Sequence, residues 1–238
     1  MAEVRFSSYS FPGIDPATHG GQMFTTTNAL QLLDKGGALR VDMAHFTAGG
    51  IRIGRVTSTG HRVDLTEDDK VTLLLPQAGH IRSRVVAQDL RVRAGEAALF
   101  TPNSRRTVVE RPQSGPFQAL ALLVPQSRVT QKGLSDALAI AGTNPQIRRL
   151  SAFVAFVADA FDNADPLLSL RGIGACEVLL EELFTDLLKA LPNAQPTQSV
   201  KPALNKVRMA EDIMRARCDE ELSMAEIARE VGVGLRSL

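Results

Sequence analysis

Apolar and polar positions change their spacing along the chain, and this change divides the sequence into a β-rich part and a helical part. Up to about residue 128, short apolar or alternating runs recur every ~8–12 residues between Gly or Pro breaks. Such runs span 50–56, 71–75, 81–85, 97–100 and 117–124. Short strands at this spacing predict an antiparallel sandwich or barrel rather than alternating strands and helices.

One of these runs, 81–85, alternates apolar residues with Arg82 and Arg84. Successive side chains of a strand point to opposite faces, so we interpret both arginines as pointing to solvent. The alternative is that some of these arginine side chains line the inside of a barrel and meet an anion there.

A helical pattern replaces the alternating one near Pro125. We predict a short helix over 133–141 that ends at Gly142. A second helix is predicted to begin at Asn144-Pro145, an N-cap residue followed by proline at the first helical position. Its apolar positions recur every three or four residues: Ile147, Leu150, Phe153, Val154, Val157 and Phe161. Asp165-Pro166 repeats the start signal.

The helix predicted after Asp165-Pro166 carries two neighbouring apolar rows. The first row is Cys176, Leu180, Leu183 and Leu187. The second row is Leu179, Phe184, Leu188 and Leu191. A double row of this kind buries one face on its own domain and offers the other to a partner helix. We predict a homodimer in which the first row takes part, and a helix pair within one chain is the alternative.

The end of the chain has the pattern of a helix-turn-helix. Residues 193–202 are polar and Pro-bearing, and we interpret them as a linker. After a first helix from about Ala203, Ser223 and Glu226 form a capping box. Gly232 then provides the residue that a tight turn before another helix requires.

In these features the chain resembles the AraC/XylS-type transcription regulators. The specific part of the resemblance is 222–238, and 72–79 and 93–102 resemble the cupin-like regulatory domain of that family. The resemblance implies an α+β protein with a cupin-like β-barrel or double-stranded sheet at 1–128. A helical dimerisation segment at 129–192, the linker and a truncated all-α helix-turn-helix domain at 203–238 would follow. Family members carry two helix-turn-helix units, so at Leu238 we expect an incomplete DNA-binding domain.

The resemblance also implies a function, that of a ligand-responsive DNA-binding regulator with its effector in the barrel. Arg236 and Ser237 open the first recognition helix and are the candidate DNA contacts of the full-length protein, since arginine suits guanine readout. Similarity to the XylS branch points to a small, aromatic carboxylate as the effector. Arg40 and His45 are the candidate partners of that anion near the barrel entrance.

Composition and charge exclude several other classes of protein. The chain has 27 Lys+Arg against 26 Asp+Glu, a formal net charge of +1, which argues against a whole-chain nucleic-acid coat. Two cysteines do not make a disulfide framework of the secreted kind. No apolar run approaches the ~20 residues that span a bilayer, and no signal peptide is visible. We therefore expect a cytoplasmic protein with no membrane partner.

A metal-dependent cupin enzyme is one alternative, and a module that only dimerises is another. Metal cupins use paired histidines, but Thr107 stands where they place one. The histidines of this chain are scattered: His19, His45, His61 and His80. We expect no enzymatic activity, no metal and no cofactor. The acidic residues of one segment are interpreted as a solvated turn: Asp64, Glu67, Asp68 and Asp69.

Overall fold

Two antiparallel β-sheets and two helices form the described part of the chain in the computed structural model. The structure describes residues 3–12, 23–86, 88–160 and 168–191, all within the unit Met1–Asn193. Its strands are β1 (Val4–Phe11), β2 (Thr26–Leu32), β3 (Leu39–Phe46), β4 (Arg52–Ser58), β5 (His61–Glu67), β6 (Lys70–Ala78), β7 (His80–Val85), β8 (Gln88–Arg93), β9 (Ala97–Phe100), β10 (Asn103–Glu110), β11 (Phe117–Pro125) and β12 (Ala137–Ile140). Its helices are α1 (Pro145–Ala160) and α2 (Leu170–Ala190).

The larger sheet has the strand order β1-β3-β4-β11-β6-β9-β12, and the smaller has the order β2-β5-β10-β7-β8. All the strand pairs are antiparallel. One apolar core takes residues from both sheets, such as Val41 and Val92, and fills the space between them. A second core joins the other face of the larger sheet to α1 and α2. The predicted β-rich sandwich followed by helices is thus confirmed.

Burial explains why some strands alternate in sequence and others form continuous apolar runs. All four residues of β9 and most of β11 are buried, because the larger sheet is covered on both faces. In β7, buried residues alternate with exposed ones. Arg82 and Arg84 point to solvent as predicted, where they pair with Glu110 and Asp89.

The helix predicted over 133–141 is wrong. The segment contains β12, which pairs antiparallel with β9 at the edge of the larger sheet. Ala137 and Ile140 are buried there, and so short an apolar run does not distinguish a strand from a helix by periodicity. Gly142 does not end a helix either. A Cβ at this position would lie 2.1 Å from the carbonyl oxygen of Gly95, so the glycine permits a close backbone approach.

The start of α1 is the predicted one. The side-chain oxygen of Asn144 accepts hydrogen bonds from the amides of Gln146 at 2.9 Å and Ile147 at 3.0 Å. Pro145 occupies the first helical position, where its missing N–H costs nothing.

Helix α2 begins at Leu170, with Ser169 as its N-cap. The predicted signal Asp165-Pro166 lies outside the described residues, as does Phe161. A buried carboxylate ties α2 to the sheet, because Glu177 accepts a hydrogen bond from the amide of Gly49 in the turn between β3 and β4.

The first apolar row of α2 lies inside the fold. Cys176, Leu180 and Leu187 are buried in the core between helices and sheet, and Leu183 packs against the same core. These four residues are therefore not a free dimer seam, and their assignment is corrected. The row is buried because α2 has to cover the apolar outer face of the larger sheet. The apolar residues that α2 does expose include Val178 and Leu179.

Candidate ligand site between the sheets

Strand β10 places a charged side chain in the apolar space between the sheets. Its residues alternate, so that Arg105, Thr107 and Val109 are buried while their neighbours are more exposed. Arg105 is only 4% exposed although arginine is almost never fully buried without a partner. Its surroundings therefore define the candidate site.

The guanidinium of Arg105 lies close to two aromatic rings. Its central carbon is 4.4 Å from the ring centroid of Phe100 and 5.1 Å from that of Phe24. Cations are attracted to the faces of aromatic rings at such distances. The N–H groups of a guanidinium donate in its plane, so its hydrogen bonds lie along its edges.

One edge of the guanidinium is bound within the protein. Arg105 Nη1 donates to Asn103 Oδ1 at 3.1 Å. The amide nitrogen of Asn103 donates in turn to the carbonyl oxygens of Thr101 at 2.7 Å and Asp136 at 2.8 Å. These two bonds fix the amide so that its oxygen faces Arg105.

The other edge of the guanidinium has no partner. Nε and Nη2 of Arg105 are buried and make no hydrogen bond to any residue that the structure describes. Burial lowers the pKa of Arg105 to about 10, and the negative charge of Glu67 opposes that change. Arg105 is therefore protonated at neutral pH. It is a buried cation with two unused donors, which is an expensive arrangement in an empty protein.

Glu67 is the acidic group whose charge acts on this cation. The interpretation of the acidic segment as a solvated turn is wrong for Glu67, which is 1% exposed because β5 carries it into the sandwich. Its Oε1 accepts hydrogen bonds from the hydroxyl of Thr25 at 2.8 Å and from Lys70 Nζ at 3.5 Å. Its Oε2 has no hydrogen-bond partner within the described ranges, and neither oxygen is bonded to Arg105.

A cavity of about 50 Å³ adjoins Arg105. Apart from Arg105, His61 and Thr107, its lining is apolar, and it consists of Met23, Phe24, Val56, Val63, Leu65, Leu74, Pro76, Ile81, Val109, Phe117 and Ala119. The hydroxyl of Thr107 is engaged with Ser83 at 2.9 Å. His61 Nδ1 lies 2.8 Å from the hydroxyl of Ser58, and burial lowers the pKa of His61 to about 4, so the ring is neutral.

The two predicted effector contacts do not belong to this cavity. Arg40 and His45 lie on opposite faces of β3, because their positions differ by an odd number. The Arg40 side chain is 63% exposed and pairs with Asp42, with Nε 2.9 Å from Oδ2. His45 is half-buried, and burial and then the charge of Arg52 hold its pKa below the usual value. The structure therefore does not bring Arg40 and His45 together.

The residue that sequence reasoning missed is Arg105. Its only sequence signal is the alternation of 103–110, which two adjacent arginines obscure. Its neighbour Arg106 points outwards and pairs with Asp64, with Nε 2.7 Å from Oδ1. Of the other predicted site residues, Arg236 and Ser237 lie outside the described residues.

The described part of the chain contains neither a cluster of metal-ligating side chains nor a membrane-spanning helix. No three side chains of His, Cys, Asp or Glu come together there as metal ligands. Neither described helix is long and apolar enough to cross a membrane.

Comparison with known protein families agrees with this two-sheet fold with its helical layer. Residues 24–189 match the model of the AraC-binding-like domain. Since the match covers most of the chain, the chain belongs to this family, a family of ligand-binding regulatory domains of transcription factors. No curated protein matches the chain in sequence.

One solved structure shows the same fold at low sequence identity, and two others are similar at lower TM-scores. The AraC-like transcriptional activator CuxR has a TM-score of 0.55 and 12% identity, over 88% of this chain and 77% of that one. ToxT of Vibrio cholerae has a TM-score of 0.42 and 11% identity, over 77% of this chain and 71% of that one. A cupin superfamily protein of Desulfitobacterium hafniense has a TM-score of 0.29 and 14% identity, over 35% of this chain and 76% of that one.

Proposed function

We propose that this chain is the ligand-responsive part of a transcription regulator and that it binds its effector between the two sheets. The observation that carries the proposal is the apolar cavity with one charged, incompletely bonded residue, Arg105, at its wall. A few convergent polar groups in an otherwise apolar pocket are typical of small-molecule sites. Membership of the AraC-binding-like domain family supports a regulatory role for such a site.

The effector in this proposal is a small molecule, with an aromatic carboxylate as the class to which the sequence resemblance points. In this proposal the regulator binds DNA, with Arg236 and Ser237 as the proposed contacts. The regulator forms a homodimer. Because the first row of α2 is buried, the proposed contact with a second copy uses exposed apolar side chains of that helix, including Val178 and Leu179.

A direct route connects the cavity to the helices. Arg105 is bonded to Asn103, and Asn103 is bonded to the carbonyl of Asp136, the residue that precedes β12. The chain leaves β12 and reaches the N-cap of α1 at Asn144 four residues later. An effector that changes the position of Arg105 therefore biases the position of β12 and α1 through contiguous hydrogen bonds.

Thermal unfolding of the 238-residue chain tests this function. The compounds are tested at millimolar concentration and represent each charge class: carboxylates, amines, sugars and neutral aromatic alcohols. At least one class raises Tm if the cavity is a binding site, because a ligand that binds only the folded state stabilises it.

Two variants show whether that ligand binds between the sheets. Ala119→Leu fills the cavity and abolishes the shift, whereas Gln118→Leu, at the neighbouring exposed position of β11, retains it. Absence of a shift with every class contradicts the proposal.

A further inference from the structure

The two unpaired donors of Arg105, Nε and Nη2, are the same pair of nitrogens through which other arginines of this protein bind carboxylates. In Arg106, Nε donates to Asp64 Oδ1 at 2.7 Å and Nη2 donates to Oδ2 at 2.9 Å. Arg84 holds Asp89 through the same pair of nitrogens, at 2.7 and 3.3 Å. In Arg105 this pair of donors is buried and has no partner among the described residues. Two parallel N–H donors match the two oxygens of a carboxylate.

We propose that Arg105 is the anchor of the effector and that it binds the carboxylate of a small acid with an apolar body through Nε and Nη2. This proposal rests on the function proposed above, because it names the ligand class and the contact of that same cavity. The carboxylate completes the hydrogen bonds of the guanidinium and neutralises a charge that the empty fold leaves buried.

No acidic group of the described chain makes this contact. Glu67 is close enough to oppose the fall in the pKa of Arg105, but its bonded oxygen serves Thr25 and Lys70. The N–H donors of a guanidinium lie in its own plane, so an anion that pairs with them approaches in that plane. The free edge is the approach that remains, since Nη1 is engaged by Asn103.

The surroundings also select against other ligand classes. The apolar lining favours an apolar body, and the hydroxyl of Thr107 is already engaged with Ser83, which leaves few groups for a sugar. A second negative charge on the ligand would lie unpaired in the same interior as Glu67, which is buried and has one free carboxylate oxygen. The site therefore specifies a monoanion. The cavity of about 50 Å³ is small, so binding of such an acid requires the flexible side chain of Met23 to move aside.

Matched pairs of compounds test the ligand class on the unmodified 238-residue chain. Calorimetric titration compares butyrate with butyramide and benzoate with benzamide, because each pair differs only in the charged group. We expect the acid of at least one pair to bind at least about tenfold more tightly than its amide. Succinate, which carries two charges, should bind more weakly than butyrate.

Variants of two adjacent residues test the anchor. Arg105→Met abolishes the preference for the acid, and Arg106→Met, which changes an exposed arginine of the same strand, leaves it intact. Arg105→Lys keeps the positive charge but loses the two-pronged donor, so it binds the acid at least about tenfold more weakly than the wild type. If Arg105→Met fails to fold, the lysine variant and the acid–amide pairs still decide the question.

The outcomes separate this inference from the function on which it rests. Tight binding of neutral compounds, without preference for acids, overturns the carboxylate anchor while the ligand-responsive function stands. The same holds if acids bind equally well to wild type and Arg105→Met. Failure of every charge class to bind overturns the proposed function and this inference with it.

Discussion

Arg105 and Arg106 are neighbours in β10, yet they present the same guanidinium edge to opposite environments. Arg106 binds Asp64 through Nε and Nη2 on the solvent side of the smaller sheet. Arg105 points the equivalent nitrogens into the interior, where they have no partner in the described chain. The alternation of the strand thus places two identical side chains in different settings, one in a surface ion pair and one buried with two unpaired donors.

Removal of the buried charge is expected to stabilise the empty protein. Arg105→Met keeps an unbranched side chain beside the two aromatic rings, removes two donors without partners and breaks the one bond to Asn103. We expect the free energy of unfolding in urea to rise by about 1 kcal/mol, because relief of a buried cation with two unpaired donors outweighs the loss of that one bond. Arg106→Met should change it by less than about 0.5 kcal/mol, since exposed ion pairs contribute little. A loss of stability in Arg105→Met would show that the fold itself needs the guanidinium.

Asn103 is expected to link the cavity to β12. In Asn103→Ala, the carbonyls of Thr101 and Asp136 lose a donor, and Arg105 Nη1 loses its acceptor. We therefore expect the free energy of unfolding to fall by about 2 kcal/mol. Hydrogen exchange of the amides in β12 should accelerate. Asn103→Asp retains an acceptor for Arg105 and supplies a competing negative charge, which should weaken binding of acids. Unchanged exchange in β12 and unchanged affinity would remove Asn103 from the route to α1.

His61 is expected to make the fold sensitive to acid. Its pKa is about 4 in the folded state, below the ordinary value of 6.5, because burial disfavours the charged ring. The unfolded chain therefore binds a proton first as pH falls, and stability present above about pH 6.5 is lost progressively between pH 6.5 and 4. At 1.36 kcal/mol for each pH unit, the full loss is roughly 3 kcal/mol.

Urea unfolding between pH 7 and pH 5 checks this dependence. His61→Asn keeps a polar group near Ser58 but does not titrate, so its stability should fall less steeply than that of the wild type. Parallel slopes in the two proteins would assign the acid sensitivity to other groups.

The exposed apolar side of α2 is expected to support self-association. Val178 is 58% exposed and Leu179 is 39% exposed, whereas Leu180 is fully buried. The double variant Val178→Asp, Leu179→Asp should convert a dimer to a monomer in sedimentation velocity at micromolar concentration, with no change in secondary structure. Glu182→Gln, at an exposed position of the same helix, should remain dimeric. A wild-type chain that is monomeric over this range would contradict the dimer.

The sequence predicted the elements whose signals are local. The turn residues and apolar runs located five of the described strands, β4, β6, β7, β9 and β11, and Asn144-Pro145 located the start of α1. Arg82 and Arg84 were placed on the solvent side because their strand alternates clearly. These elements are determined by residues close to one another along the chain, so a single sequence was sufficient to predict them.

The features that failed depend on what packs against them. β12 is a strand because it pairs with the open edge of β9, and the residues 137–140 alone do not indicate this pairing. The first row of α2 is buried because the larger sheet has an apolar outer face that needs cover. Arg105 was missed because the phase of β10 is set by pairing with β5 and β7 rather than by its own residues. The alternative that Arg82 or Arg84 lines the inside of the barrel is wrong, because both side chains are exposed and paired with surface carboxylates.

The most direct test of the carboxylate anchor is the NMR signal of the Arg105 side chain itself. The Nε–Hε cross-peak of Arg105, assigned by its absence in Arg105→Lys, is followed while butyrate or benzoate is added to the 238-residue chain. A carboxylate bound at this edge should produce a downfield proton shift that saturates with the calorimetric affinity and that the matching amide does not produce. A cross-peak that stays unchanged while the acid binds would contradict the carboxylate anchor.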